Sequence, residues 1–162
     1  MAIFKGAGVA IVTPFHPDGS VNYNKLEELI NFQCDNGTDC IVICGTTGES
    51  ATLSESEHVE CIRRAVEFTK GRVPVVAGTG SNSTQTAIEL SKEAVDAGAD
   101  GLLVVTPYYN KATQGGLYAH FKAIADSVKI PMLLYNIQGR TGVNIAPATI
   151  VKLCNDCENI VG

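Results

Sequence analysis

Residues 40–57 read CIVICGTTGESATLSESE, and this stretch decides the fold class. It opens with an apolar run at 40–44, which predicts a buried strand. Ser54 and Glu57 then form a capping box, in which the serine hydroxyl accepts a backbone amide and the glutamate returns the bond, so a helix begins here. A strand, a polar loop and a helix in this order make one βα unit.

The same unit recurs along the chain about every 30 residues. We predict strands at 7–12, 40–44, 73–77, 102–105 and 132–135, the start of a sixth at 160–161, and a last helix at 147–154. Gly37, Gly71 and Gly98 follow three of the helices, as left-handed caps do. Near-continuous apolar strands are buried on both faces, which indicates a parallel sheet. No linker interrupts the pattern, so we predict one α/β domain.

Composition excludes several classes of protein. The apolar fraction of 45% is too high for a disordered chain, and the net charge of -5 argues against a general nucleic-acid binder. No apolar run approaches the roughly 20 residues of a membrane helix. Residues 1–6 are too short and mixed for a secretory leader. We therefore expect a cytoplasmic protein with reduced cysteines and with neither nucleic acid nor membrane as a partner.

Two α/β architectures fit the pattern: an open doubly wound sheet and a (β/α)8 barrel. A dinucleotide-binding open sheet would carry G-x-G-x-x-G after its first strand, whereas this chain has TPFHPDG at 13–19. In a barrel, the loops after the strands converge on the face where active sites lie. The unusual residues occupy these loops, at 45–50, 78–81, 106–110 and 136–142.

The GTTGES loop at 45–50 allows two interpretations. Its glycines permit close approach of a ligand, and Thr46 and Thr47 offer hydroxyls that hold a carboxylate or a phosphate. Alternatively, it is a tight turn in which Ser50 or Ser54 caps the next helix. The residues alone leave both interpretations open.

Phenols and one arginine mark the later strand ends. A tyrosine relays a proton when its phenol meets a second hydroxyl, although a lone tyrosine is more often a core or interface residue. Thr46, Thr47, Tyr109 and Tyr135 together would make a chain of hydroxyls. Arg140 is the one arginine in these loops, and its planar fork suits a carboxylate, although surface arginines are commoner.

The cysteines and histidines favour structural roles. Cys154 and Cys157 form one C-x-x-C, but no second pair exists and the three histidines are scattered. Cys40 and Cys44 are predicted to be small core residues. No H-E-x-x-H motif or Ser-His-Asp order is present, so we expect no metal site and no hydrolytic triad.

Together the loops resemble the dihydrodipicolinate synthase family. The resemblance rests on GTTGESATL at 45–53, VAGTG at 76–80, TPYYNK at 106–111, GLYAHFK at 116–122, YN at 135–136 and GRTG at 139–142. It runs in order from VAIVTP at 9–14 to the last residues. It implies an incomplete (β/α)8 TIM barrel, with about five βα units and the start of strand six.

The resemblance also implies an activity. Members of this family are tetramers of tight dimers that condense pyruvate with L-aspartate 4-semialdehyde in lysine and diaminopimelate biosynthesis, without a cofactor, through a Schiff-base lysine on strand six. Thr46 and Thr47 would contact the pyruvate carboxylate, and Thr46 would join a proton relay with Tyr135. Tyr109 would complete that relay across the tight dimer interface. Arg140 would bind the semialdehyde carboxylate.

A lysine-effector site is implied in the same way. Its matching residues are Ser50, Ala51, His58, Asn82 and Tyr108. Glu55 and Thr86 differ from the residues of feedback-sensitive relatives, which argues against inhibition by lysine. Gln138 stands where the family usually has proline, so the loop that aims Arg140 is expected to be less rigid.

The largest departure is the missing nucleophile. The chain ends at Gly162, shortly before the expected lysine, and none of its eight lysines falls at a matching strand end. We therefore expect residues 1–162 to be a partial catalytic domain that is inactive alone. The alternatives are another pyruvate-dependent lyase, such as N-acetylneuraminate lyase, and a non-catalytic half-barrel that binds small carboxylates or serves in assembly.

Overall fold

Five parallel strands form one sheet in the computed structural model, which describes residues 3–162. The strands are β1 (Gly8–Ala10), β2 (Cys40–Ile43), β3 (Val75–Gly78), β4 (Gly101–Val105) and β5 (Met132–Tyr135). All five predicted strands are confirmed, with shifts of at most two residues at their ends. β2 ends one residue early because Cys44 takes a left-handed conformation, with φ of 55°. The segment at 1–6, which is too short for a secretory leader, begins with residues 1–2, and these two lie outside the described residues.

Helices alternate with these strands. They are α1 (Tyr23–Asp35), α2 (Glu55–Thr69), α3 (Thr84–Asp96), α4 (Gln114–Ser127), α5 (Gln138–Thr141) and α6 (Pro147–Asp156). The capping box before α2 is confirmed, since the Ser54 side chain accepts from the Glu57 amide and the Ser54 amide donates to the Glu57 carboxylate. The predicted glycine turns also hold, with positive φ at Gly37, Gly71 and Gly98. α5 lies in a segment expected to be a loop.

The order of the strands distinguishes the two candidate architectures. Neighbours in the sheet are consecutive in the chain, from β1 to β5, and every pair is parallel. Because parallel crossovers are right-handed, a chain that always advances in one direction places its helices on one face of the sheet. An open doubly wound sheet reverses direction and has helices on both faces. The sheet is therefore part of a (β/α)8 barrel.

The two faces of the sheet differ in burial. Residues such as Ile43, Leu102 and Met132 point toward the helices and are fully buried. The alternate residues vary: Val42 and Leu103 are only partly buried, whereas Cys40 and Val76 are fully buried. Burial on both faces, as expected from the sequence, is therefore confirmed for β3 and incomplete on the inner face of β2, β4 and β5. Five strands do not close a barrel, so side chains that would fill its interior are left partly in contact with solvent.

The predicted start of a sixth strand is confirmed at the edge beyond β5. Ile160 forms a parallel bridge with Met132. The Val161 amide donates to the Met132 carbonyl at 3.0 Å, and the Leu134 amide donates to the Gly162 carbonyl at 2.8 Å. Separately, no helix within residues 3–162 combines the length and apolarity needed to cross a membrane.

Arg72 stabilises the packing of α1 against α2. Its guanidinium donates to the Phe68 carbonyl at 2.8 Å and the Thr69 carbonyl at 2.9 Å, which lie in the last turn of α2, and also to Asp35 and Asn31 of α1. We expect Arg72→Ala to lower the free energy of unfolding by about 1–2 kcal/mol, because it removes helix-end and interhelical bonds together.

Urea denaturation followed by far-ultraviolet circular dichroism measures this change. The matched control is Arg63→Ala, which removes only an exposed ion pair with Glu60 and should cost less than about 0.5 kcal/mol. Equal decreases in the free energy of unfolding for Arg72→Ala and Arg63→Ala would contradict a special role for Arg72.

Candidate active site

A cavity of about 440 Å³ opens where the strands end and the loops begin. It is lined mainly by the loops after β2, β3, β4 and β5. The lining residues are Thr46, Glu49, Ser50, Ala51, Thr52, Leu53, Glu55, His58, Gly80, Ser81, Thr86, Leu90, Val105, Tyr108, Ile137, Arg140 and Thr141. The strand-end loops predicted from sequence therefore converge on one site. Glu49, Ile137 and Thr141 were not predicted individually, although Glu49 and Thr141 lie within quoted motifs and Ile137 directly follows one.

Hydrogen bonds fix the GTTGES loop, both to the segment after β1 and within the loop itself. The Thr13 hydroxyl donates to the Gly48 carbonyl at 2.7 Å and is itself buried. Backbone bonds from the Gly48 amide to the Gly45 carbonyl and from Glu49 to Thr46 close two successive turns. Thr46 is exposed on the cavity wall, whereas Thr47 is exposed outside it. Of the two sequence interpretations, the tight turn before a Ser54 cap is confirmed, and a ligand at Thr46 stays a prediction that this cap does not oppose.

Two glycines of the 78–81 segment make close backbone contacts. A Cβ at Gly78 would lie 2.2 Å from the Cys44 carbonyl oxygen, and one at Gly80 would lie 2.4 Å from the Val105 amide nitrogen. Neither contact is reached by a real Cβ, so only glycine fits at these points. In the sequence this segment looks like an ordinary turn. In the structure, its two glycines allow β2, β3 and β4 to approach one another closely below the cavity.

His58 joins α2 to the end of β3. Its Nε2 lies 2.7 Å from the Gly78 carbonyl oxygen and must donate, because a carbonyl only accepts. Burial lowers the pKa of His58, opposed by the bond to Gly78 and by the Glu55 carboxylate. The ring is therefore neutral at pH 7 and carries its proton on Nε2. This arrangement leaves Nδ1 as an acceptor in a residue that lines the cavity.

Arg140 supplies the unpaired positive charge of the site. It lies in α5, one short helical turn that ends at Gly142, where φ is 70°. Among the described residues, the other three arginines form ion pairs with carboxylates, whereas Arg140 forms none. An exposed guanidinium on the cavity wall without an internal partner is suited to a carboxylate ligand.

The tyrosines occupy different positions around the cavity. Tyr108 lines it. Tyr135 ends β5 and pairs in register with Val105, which lines the cavity, so both lie on the inner face of the sheet. Tyr109 lies outside, 89% exposed, with φ of 72°. Within residues 3–162 no hydrogen bond joins Thr46, Thr47, Tyr109 and Tyr135, so this chain does not form the expected hydroxyl chain by direct contact.

The residues matched to an effector site share this cavity. Four of the five line it: Ser50, Ala51, His58 and Tyr108. Asn82 does not, and its carbonyl instead accepts from the Asn110 side chain at 3.1 Å. Glu55 and Thr86, where the chain departs from feedback-sensitive relatives, also line the cavity. Residues matched to both predicted sites therefore line one cavity.

The cysteines contribute no ligand cluster to this region. Across residues 3–162, no group of three or more histidine, cysteine or acidic side chains is placed to hold a metal ion. Cys40 and Cys44 are buried, as predicted, and burial raises the pKa of Cys40 to about 11. Cys154 is exposed and Cys157 is buried at the end of α6, where burial also raises the pKa of the Cys157 thiol.

Comparison with known proteins gives one consistent result. The model of the dihydrodipicolinate synthetase family matches residues 3–162. A 4-hydroxy-tetrahydrodipicolinate synthase of Lachnoclostridium phytofermentans is 66% identical over 99% of this chain and 55% of its own length. The chain therefore spans about half the length of the curated relatives that it matches.

Solved structures agree with this result. The dihydrodipicolinate synthase of Acinetobacter baumannii, described as chloride-inhibited and complexed with pyruvate, is 52% identical with a TM-score of 0.96, over 99% of this chain and 55% of that one. The enzyme of Cyanidioschyzon merolae, described with lysine bound, is 47% identical with a TM-score of 0.96, over 99% of this chain and 55% of that one.

Proposed function

The chain belongs to the dihydrodipicolinate synthetase family, and from this we propose that residues 1–162 form the substrate-binding part of a 4-hydroxy-tetrahydrodipicolinate synthase. The complete enzyme condenses pyruvate with L-aspartate 4-semialdehyde. This part is a partial barrel domain that positions both substrates and lacks the lysine that forms the Schiff base. A related structure contains pyruvate, which supports pyruvate as the first substrate.

The observation that carries this proposal is the unpaired Arg140 on the same cavity wall as Thr46. Both substrates are carboxylates, so each needs a hydrogen-bond donor that is not already bound within the protein. Thr46, with Thr47 beside it, holds the carboxylate of pyruvate. Arg140 binds the carboxylate of the semialdehyde and brings its aldehyde carbon to the enamine.

Proton transfer is assigned to the hydroxyls near this cavity. Forming an imine from pyruvate and an amine releases water and requires a proton on the departing oxygen, and enamine formation requires removal of a proton from the methyl carbon. Tyr135, at the end of β5 on the inner face, exchanges the first of these protons, and Thr46 connects it to solvent.

Tyr109 is the third member of this relay, and its exposure supports a role at a subunit interface. An 89% exposed tyrosine held at positive φ is a costly conformation for an isolated subunit. We therefore propose a dimer of tight dimers in which the phenol of one subunit reaches the relay of its partner. The six free cysteines are in keeping with a cytoplasmic enzyme.

The test uses a completed enzyme, in which residues 1–162 precede the C-terminal half of the L. phytofermentans relative. We expect Arg140→Ala to raise the KM for L-aspartate 4-semialdehyde about 10- to 100-fold, because a charge-assisted pair is lost, with little change in the KM for pyruvate.

Steady-state kinetics with each substrate varied in turn measures these constants. Arg63→Ala removes an exposed arginine that does not line the cavity and should behave as the parent does. An enzyme that cleaves N-acetylneuraminate and ignores the semialdehyde would favour the other pyruvate-dependent lyase.

A further inference from the structure

The loop that carries Arg140 is weakly organised by its own backbone. Residues 136–146 connect β5 to α6, and α5 lies within them. The backbone bonds here close one turn: Arg140 and Thr141 donate to the Ile137 carbonyl, and Gly142 donates to the Gln138 carbonyl. No side chain caps the start of α5, and the buried Thr141 hydroxyl bonds only to backbone groups of this loop, those of Ile137 and Val143. These bonds shape the turn from within, and none of them joins it to a strand.

One side chain joins the two ends of this loop. Asn136 directly follows β5, and its Nδ2 donates to the Asn144 Oδ1 at 2.7 Å. Its Oδ1 accepts from the Ile145 amide at 3.2 Å. We call these two bonds the Asn136 clasp. An alkyl side chain makes neither bond, whereas a carboxylate accepts from the Ile145 amide and, once the Asn144 side-chain amide rotates, from its Nδ2 as well.

The far end of the clasp is fixed to the rest of the protein. Val143 and Ile145 are buried in the core. Gln114, in the first turn of α4, donates to the Asn144 carbonyl at 2.8 Å and accepts from the Ala146 amide at 2.9 Å. The clasp therefore ties the end of β5 to a segment that α4 already holds, with Arg140 between the two fixed points.

We propose that Asn136 is a positioning residue for Arg140. Asn136 closes the loop across its base and so fixes the distance from the Arg140 guanidinium to Tyr135 and to the cavity. At this distance the guanidinium holds a carboxylate substrate. This inference rests on the proposed function, since it assigns Asn136 a role in binding the second substrate only. Asn136 touches neither substrate itself.

The experiment compares Asn136→Ala and Asn136→Leu with the parent in the completed enzyme. Both variants should raise the KM for L-aspartate 4-semialdehyde about tenfold, the effect of losing one or two modest hydrogen bonds, while kcat stays within about twofold. Borohydride trapping of pyruvate should be unchanged. Asn155→Ala, an asparagine in α6 remote from the loop in sequence, is the matched control and should match the parent.

A rescue variant separates positioning from general damage. Gln138 is the first residue of α5 and donates no helical bond, so proline is accepted there and stiffens the loop. Adding Gln138→Pro to Asn136→Ala should recover at least half of the loss in KM. Amide hydrogen exchange of 137–145 in the 162-residue chain should be faster in Asn136→Ala and unchanged in Asn155→Ala.

The outcomes distinguish the inference from the proposed function. A parent enzyme that traps no pyruvate would contradict the proposed function. A parent that traps pyruvate, together with an Asn136→Ala variant of unchanged KM, would overturn the role of Asn136 alone. So would a fall in kcat at constant KM, or a loss in KM that Gln138→Pro does not reduce.

Discussion

The 162-residue chain alone will gain no mass when it is treated with pyruvate and borohydride. A Schiff base needs a neutral amine at the substrate, which proteins obtain by burying a lysine and lowering its pKa. All eight lysines fall within the described residues; seven are exposed, and none lines the cavity. Lys122 is half-buried, but hydrogen bonding to the Asp126 carboxylate raises its pKa.

Intact-mass spectrometry after reduction measures the adduct. A reduced pyruvyl group on any of the eight lysines would contradict the expectation and would move the chemistry into this part of the fold. The control is reduction without pyruvate, which reports modification by the reagent itself.

Completing the barrel should allow the pyruvyl adduct to form. The partly buried inner-face residues, such as Val42 and Leu103, present an apolar surface that three further βα units would cover. Adding the C-terminal half of the L. phytofermentans relative should therefore yield one pyruvyl adduct, located on the added half. That half alone should form none, because Thr46 would be absent. Tight association without an adduct would instead favour a non-catalytic assembly module.

Gly78→Ala will prevent stable folding of the chain. The new Cβ would lie 2.2 Å from the Cys44 carbonyl oxygen and 2.7 Å from its carbon. Both are backbone atoms of the turn that follows β2, so relief requires β2 and β3 to separate beneath the cavity. We expect the free energy of unfolding to fall by about 4 kcal/mol or more, which is at the upper end for single substitutions.

Gly115→Ala is the matched control for this prediction. Gly115 lies in the first turn of α4, and a Cβ there meets nothing within 4 Å. Alanine should leave stability unchanged or raise it by up to about 1 kcal/mol. Urea denaturation followed by circular dichroism compares the two, with the soluble fraction as the readout if Gly78→Ala does not fold. A loss below about 1 kcal/mol for Gly78→Ala would show that the strands separate easily.

Features encoded within a few neighbouring residues were predictable. The capping box at Ser54 involves four consecutive residues and was identified from their letters alone. The glycine after α1 is similar, because the left-handed turn at Gly37 depends on local backbone sterics. β5 was also placed at its true bounds, since MLLY at 132–135 is an apolar run set off by Pro131 before it and Asn136 after it.

Features that depend on contact between distant segments were not predictable in the same way. The motif at 78–81 looked like an ordinary turn, because its need for glycine comes from Cys44, more than 30 residues earlier. α5 was expected to be a loop, since four residues are too few to show helical periodicity. The Asn136 clasp joins residues whose pairing depends on how the loop folds back. Tyr109 was grouped with Tyr135 in a chain of hydroxyls, yet within residues 3–162 no hydrogen bond joins the two, and Tyr109 lies outside the cavity.

The sequence by itself determined the alternation of strands and helices, the loops that carry chemistry and the family to which they belong. These follow from local propensity and from the spacing of particular side chains along the chain. Only the tertiary structure decided that the strands advance in one direction, that four loops share one cavity, and that Arg140 forms no ion pair with any other part of residues 3–162. Strand order, close approach and charge pairing arise between segments far apart in the chain, and local patterns do not encode those distances.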